Sequence, residues 1–276
     1  MLRIFRGLAQ VTVLCIITNQ AFALGHHPMS LMPSELISPA PVSKVPYHGG
    51  PVLSHVKLHL VFWSNGVSSD LQSSLASFYG SIVSSSYIDQ LTEYSTSTQK
   101  IGRGSMGEIL TINPVNPSTN LTQADIEKEL EAQLQLGKLP KPDADSLYML
   151  HFPEGYQITI SFGGSCSTWG ADHEAYHSAK FGYMAYAMFP CSESMSSFEN
   201  LTTMASHELS EAITDPISPL ANQPSVAPAA WLTDDGNEIG DLCAWQNTVF
   251  NVGSRTFAVQ KEFLNSLSGC NPATFN

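Results

Sequence analysis

No stretch of this chain restricts its architecture as tightly as the segment Ser197 to Thr214 (SFENLTTMASHELSEAIT). Leu201, Met204, Leu209 and Ile213 recur at helical spacing along one side of it, and an amphipathic helix must dock that side on another element. Ser197 or Asn200 can cap its start. Asp215-Pro216 ends it, because proline lacks an N–H and clashes with the preceding turn. His207 and Glu211 then project from one face a single turn apart, with Glu208 beside them.

This HExxE pattern differs from the HExxH of zinc metalloproteases only in replacing the second imidazole by a carboxylate. Two ligands one turn apart can hold a metal without backbone strain, and the Glu after the first is placed to act on water as general base. Random placement yields on the order of 0.02 such matches in a chain of this composition, so the pattern points to chemistry. The expected assignment is His207 and Glu211 as metal ligands and Glu208 as the catalytic base.

A metal needs further ligands, and Trp231 to Trp245 (WLTDDGNEIGDLCAW) supplies candidates. Glu238 is the expected third ligand, with Asp241 as its competitor or an orienting partner. Asp215 can serve as a ligand or as an orienting group. Asp234-Asp235-Gly236-Asn237 is strong turn chemistry. Oxygen ligands suit Ca²⁺, but imidazole favours Zn²⁺, so zinc is expected if His207 binds and calcium is the alternative. His173 and His177 form a second pair spaced by four. The glycines around them read as a loop, which makes this segment a polar rim from which His177 can reach the centre. His151, inside SLYMLHF, reads as a buried, hydrogen-bonded strand residue.

The N-terminus assigns a compartment. Arg3 and Arg6 precede the apolar run Leu8 to Ile17, and Ala21-Phe22-Ala23 has the small-x-small form of a cleavage site, so residues 1–23 are expected to be an export signal. Its removal leaves 253 of 276 residues and moves the net charge from −12 to −14. Such an acid excess makes nucleic acid an unsuitable partner, and no other stretch is apolar enough to span a membrane. The product is expected to be secreted, extracellular or periplasmic. Cys15 leaves with the signal, so Cys166, Cys191, Cys243 and Cys270 remain. An even number in an exported chain favours disulfides, and loop length favours pairing Cys166 with Cys191 and Cys243 with Cys270. Residues 24–48, rich in Pro and Ser, read as an extended leader, including His26 and His27 as solvated side chains.

A single globular domain is expected over 49–276. His55 to Trp63 reads as a strand, with His55, Lys57 and His59 on a solvated face. Helices are expected over Ser69 to Ser85 and Thr122 to Leu136, and strands over Gly107 to Ile112, Ser146 to Phe152, Tyr156 to Ser161 and Phe181 to Phe189. Alternating strands and helices indicate an α/β (α+β) fold, a mixed sheet flanked by helices with a zincin-like active helix. Asn120-Leu121-Thr122 and Asn200-Leu201-Thr202 match the glycosylation pattern.

With these residues in view, the chain resembles the EXORDIUM and phosphate-induced protein family of exported proteins, in particular its microbial members. The resemblance is carried by Gly49 to Val52, Phe62-Trp63, Leu147 to Leu150, the Cys166 to Ser178 segment and Tyr186 to Phe189. It is strongest over Ser206 to Pro216 with Trp231, Gly236 to Cys243 and Val259-Gln260. The plant members it is similar to are extracellular proteins tied to growth responses and lack the HExxE helix. Glu238 is similar to the Glu that completes the site in gluzincin peptidases. The expected function is a secreted zinc-dependent hydrolase, a metallopeptidase acting on peptide or protein substrates. The alternative is a non-catalytic extracellular protein that binds cell-wall or host surfaces.

Overall fold

The computed structural model describes residues 27–31, 42–217 and 228–276. The signal segment, His26 and Cys15 lie outside the described residues. The chain runs β1 (Lys57–Phe62), α1 (Ser69–Ile82), α2 (Ser86–Asp89), β2 (Ser105–Thr111), β3 (Asn120–Thr122), α3 (Gln123–Gln135), β4 (Ser146–His151), β5 (Gln157–Ile160) and β6 (Gly163–Gly164). It continues through β7 (Asp172–Ser178), β8 (Gly182–Phe189), α4 (Phe198–Thr214), β9 (Asn247–Val252), β10 (Arg255–Gln260), β11 (Phe263–Leu264) and β12 (Gly269–Cys270).

Five strands form one mixed sheet in the order β2-β1-β4-β8-β7. β1, β2, β4 and β8 are parallel, and β7 closes one edge antiparallel to β8. Both faces are covered, which explains why β1, β4 and β8 are nearly continuous apolar runs rather than alternating ones. Leu58, Leu60, Leu147, Met149, Ala185 and Ala187 pack with α1 and α4 on one face. Val61, Leu150, Tyr186 and Met188 pack with Ile126, Leu130 and Leu134 of α3 on the other. The α+β class expected from the element order is therefore the fold observed.

Local chemistry sets the helix ends. Thr122 accepts the Asp125 N–H while the Asp125 carboxylate accepts the Thr122 N–H, a reciprocal cap on α3. Ser197 accepts the Asn200 N–H at the start of α4. The disulfides join Cys166 to Cys191 and Cys243 to Cys270, as loop length favoured. No helix among the described residues is long and apolar enough to cross a membrane.

Three readings require correction. His59 is buried, not solvated: β2 lies alongside β1, the His59 ring stacks on Tyr148 at 4.8 Å, and its Nδ1 accepts the Glu108 N–H. Gly107 leaves room for that ring, since a Cβ there would lie 2.5 Å from Nδ1. The segment around His173 and His177 is the edge strand β7, not a loop. The leader is not wholly apart from the body, because Met29 and Val45 are buried in the core on the α4 face.

Candidate metal centre

α4 is the central helix of this face, and every residue from Leu201 to Thr214 is buried. Its polar side is sealed as completely as its apolar one. Small residues of β8 make room for this, because Ala185 and Ala187 stand where bulkier side chains would hold α4 away. Directly opposite Ala187 in the β7–β8 ladder is His173, so the two residues share the face that α4 covers. The third wall is the turn after Thr233, whose Oγ1 accepts the Asn237 N–H, with Gly236 at φ +84°. That turn delivers Glu238, Gly240 and Asp241, and Cys243 staples it to Cys270.

Six ionisable side chains converge there. His207 Nε2 lies 3.1 Å from Glu211 Oε2, 3.9 Å from Asp241 Oδ1 and 4.0 Å from Glu208 Oε1. His173 Nδ1 lies 3.1 Å from Glu208 Oε2 and 3.7 Å from Glu211 Oε2, while its Nε2 is 3.6 Å from Glu238 Oε1. Two groups have ligand atoms within 4.8 Å of one another: His173, Glu208 and Glu211, and His207, Glu211 and Asp241. Glu211 belongs to both. Of the expected ligands, His207, Glu211 and Asp241 thus meet, whereas Glu238 stands against His173. Asp215 closes the α4 end, its Oδ1 accepting the Ala230 N–H at 2.8 Å. His177 is exposed and packs on Tyr183. Residues four apart on a strand are about 13 Å apart, so His173 and His177 cannot share one ion.

Hydrogen bonds assign the two imidazoles different proton positions. The Gln260 amide has one orientation that suits its neighbours: Oε1 accepts the Trp245 N–H at 2.9 Å and Nε2 donates to the Gly240 carbonyl at 2.9 Å. A flipped amide would set oxygen against oxygen and N–H against N–H. The remaining Nε2 hydrogen therefore points at His207 Nδ1, 2.8 Å away, which must accept it. Neutral His207 consequently carries its proton on Nε2, facing the carboxylates. His173 is the reverse case. Its Nε2 donates to the Asp215 carbonyl at 3.2 Å, so in the neutral ring the Nδ1 lone pair is aimed at Glu208 and Glu211. An imidazole that donates its far N–H to a backbone carbonyl is oriented and polarised as a metal ligand is.

Electrostatics leave these carboxyls to be relieved by protons or by a cation. Burial, followed by the charges of Glu211 and Asp172, pushes the Glu208 carboxyl well above the usual range. Glu238 is pushed well above it by burial, then by Glu211 and Asp215. Asp241 rises to about 7 through burial and Glu211, against the opposing pull of His207. Among the described residues, Glu208 Oε1 and both Glu238 carboxylate oxygens are buried without a hydrogen-bond partner. A buried polar atom left so costs about 1–3 kcal/mol, more when charged. Carboxylate oxygens and an imidazole nitrogen converging in a buried site form a donor set that suits a divalent transition metal.

Sequence reasoning missed Gln260 as an orienting group and Glu262, whose carboxylate accepts the Tyr87 hydroxyl beneath α4. It also assigned His173 only to a rim. The available signal was the short polar run before Gly182 to Phe189, which reads as a hairpin partner once that strand is accepted. No family model, curated protein or solved structure matches this chain, so what the site does rests on its own geometry.

Proposed function

We propose that the chain is an exported zinc-dependent hydrolase, a metallopeptidase in type, whose ion is held by His173 Nδ1, Glu208 and Glu211. The observation that carries this reading is the His173 lone pair directed at two buried carboxylates, a place where only a proton or a cation relieves the repulsion. Zinc bound there supplies a Lewis acid that polarises a carbonyl and increases the acidity of water. The roles of the chain's own residues then differ from those expected along the helix. Glu208 becomes a ligand. The Glu238 carboxylate, buried with both oxygens unpartnered, takes the proton of the attacking water and passes it to the leaving nitrogen. His207 holds a proton at Nε2, fixed there by Gln260, and keeps it: this N–H donates a hydrogen bond to the oxygen of the polarised carbonyl. The two disulfides support export to an oxidising compartment.

Metal analysis of the purified chain tests this. We expect one zinc per chain, lost in His173→Ala but kept in His207→Ala and in Glu238→Gln. Glu238→Gln should lower hydrolysis of a peptide library by at least about 100-fold. Absence of stoichiometric zinc, or full zinc content in His173→Ala, overturns the reading. A second reading is favoured by the near-complete burial of the ligands, with side chains of His173, Glu208 and Glu211 only 1% exposed. Under it the ion is structural, zinc or calcium, in a non-catalytic protein that binds extracellular surfaces. Stoichiometric metal with no hydrolysis of any peptide decides for it.

A further inference from the structure

The centre is buried from every side, yet a hydrolase must admit its substrate. Asp241, with its side chain 10% exposed, is the member of the cluster nearest the surface, and residues His27 to Leu31 lie on that side. Met29 forms an antiparallel bridge with Ala171, through Met29 N–H to the Ala171 carbonyl at 3.0 Å and Gly170 N–H to the Met29 carbonyl at 2.9 Å. Ala171 directly precedes β7 and stands two residues before His173. The Met29 side chain is 2% exposed and belongs to the core on the α4 face. The next carbonyl, Ser30, accepts the Trp245 indole N–H at 3.1 Å, and Trp245 is the residue whose backbone N–H orients Gln260. His27 lies 3.4 Å from the Asp235 carbonyl and reaches the Asp241 carboxyl electrostatically. One extended segment thus bridges two walls of the centre.

We infer that the Gly170–Ala171 backbone edge, with the apolar pocket beside it, is a docking register for extended peptides, and that His27–Leu31 fills it as an intramolecular competitor. Several features of the contact match a peptide rather than another ligand. Its hydrogen bonds are main-chain bonds that any sequence can make, as in strand addition to an exposed edge. The pocket selects an apolar side chain at the position of Met29. Gly170 allows the close approach, since a Cβ there would run into Met204 and lie 3.1 Å from Leu31 Cδ2. A tethered competitor acts at an effective concentration in the millimolar range, so a peptide in solution must overcome it. The consequence for hydrolysis rests on the function proposed above; the docking itself does not.

The test uses the exported chain, its Met29→Asp and Met29→Pro variants, and a fluorescein-labelled peptide HPMSL. Met29→Asp removes the apolar anchor, and Met29→Pro removes the N–H given to Ala171. Fluorescence anisotropy should show the variants binding the peptide at least about tenfold more tightly than the unaltered chain. Equal affinity in folded variants and unaltered chain overturns the inference. The unaltered chain provides a readout that needs no variant: its Gly170 amide should exchange slowly with deuterium, and exchange at the rate of an unstructured chain overturns the inference as well. Tighter peptide binding without hydrolysis in any form keeps the docking register and sinks the hydrolase. Equal hydrolysis by variants and unaltered chain keeps the hydrolase and overturns the competitor.

Discussion

A single methyl group added at position 240 probes the packing of the centre. A Cβ on Gly240 would lie 2.6 Å from His207 Nδ1 and 2.7 Å from Glu211 Oε1, and neither side chain can withdraw inside a sealed core. Gly240→Ala should therefore destabilise the fold by about 1–3 kcal/mol and weaken zinc binding, read by urea denaturation and by competition with a chromogenic chelator. Gln260 makes a different prediction. Gln260→Leu removes the donor to His207 Nδ1 and leaves the Gly240 carbonyl and Trp245 N–H without their amide, at a cost of about 1–3 kcal/mol. Imidazole nitrogen shifts should place the His207 proton on Nε2 in the unaltered chain. A signal from an Nδ1 proton at neutral pH would refute the assignment of His173 as the ligating histidine.

Among elements, α4 and β7 carry the centre, and α3 lies on the opposite face of the sheet. That separation makes α3 a control. Thr122→Ala removes one half of the reciprocal cap and should cost about 1 kcal/mol in thermal or urea unfolding, with zinc content unchanged. A change in zinc content would mean that the two faces are coupled. The helices and most strands were legible because each carries a period of its own: α3 has Ile126, Leu130 and Leu134 on one stripe with a cap at Thr122, and α4 stops at a proline. β7 was not legible, because a strand at a sheet edge with a partly exposed face has no apolar run to announce it. His59 was misread for a related reason. Polar alternation on β1 suggested an open face, and the pairing with β2 together with the stack on Tyr148 of β4 covers it.

For the whole molecule, the crowded acids tie stability to pH and, under the function proposed above, to metal. Burial raises Asp241 to about 7 and Glu262 to about 8, and pushes Glu208 and Glu238 well above the usual carboxylate range. A carboxyl raised on folding contributes stability below its unfolded pKa of about 4 and loses it as pH climbs through the folded value. His151, which burial lowers to about 3, acts in the other direction, losing stability as pH falls below about 6.5. Between pH 6.5 and 8 Asp241 and Glu262 pass through their folded values, while His151 no longer changes. In that window the chelated protein should lose at least about 2–3 kcal/mol, and the zinc-loaded protein should lose little. Urea titrations of both forms at the two pH values check this, and parallel losses would show that no cation resides among the acids.

The sequence by itself determined the helix that carries His207, Glu208 and Glu211, the turn that presents Glu238 and Asp241, and the class of fold. Each of these depends on spacing within one segment or on the order of segments. The preference for neighbouring cysteines was likewise a matter of loop length, and both disulfides follow it. Tertiary structure alone decided that the polar face of α4 is buried, that His173 faces it from β7, and that Gln260 assigns the proton on His207. The difference is physical: periodicity describes which residues share a face, but burial and proton position depend on what a distant segment brings against that face.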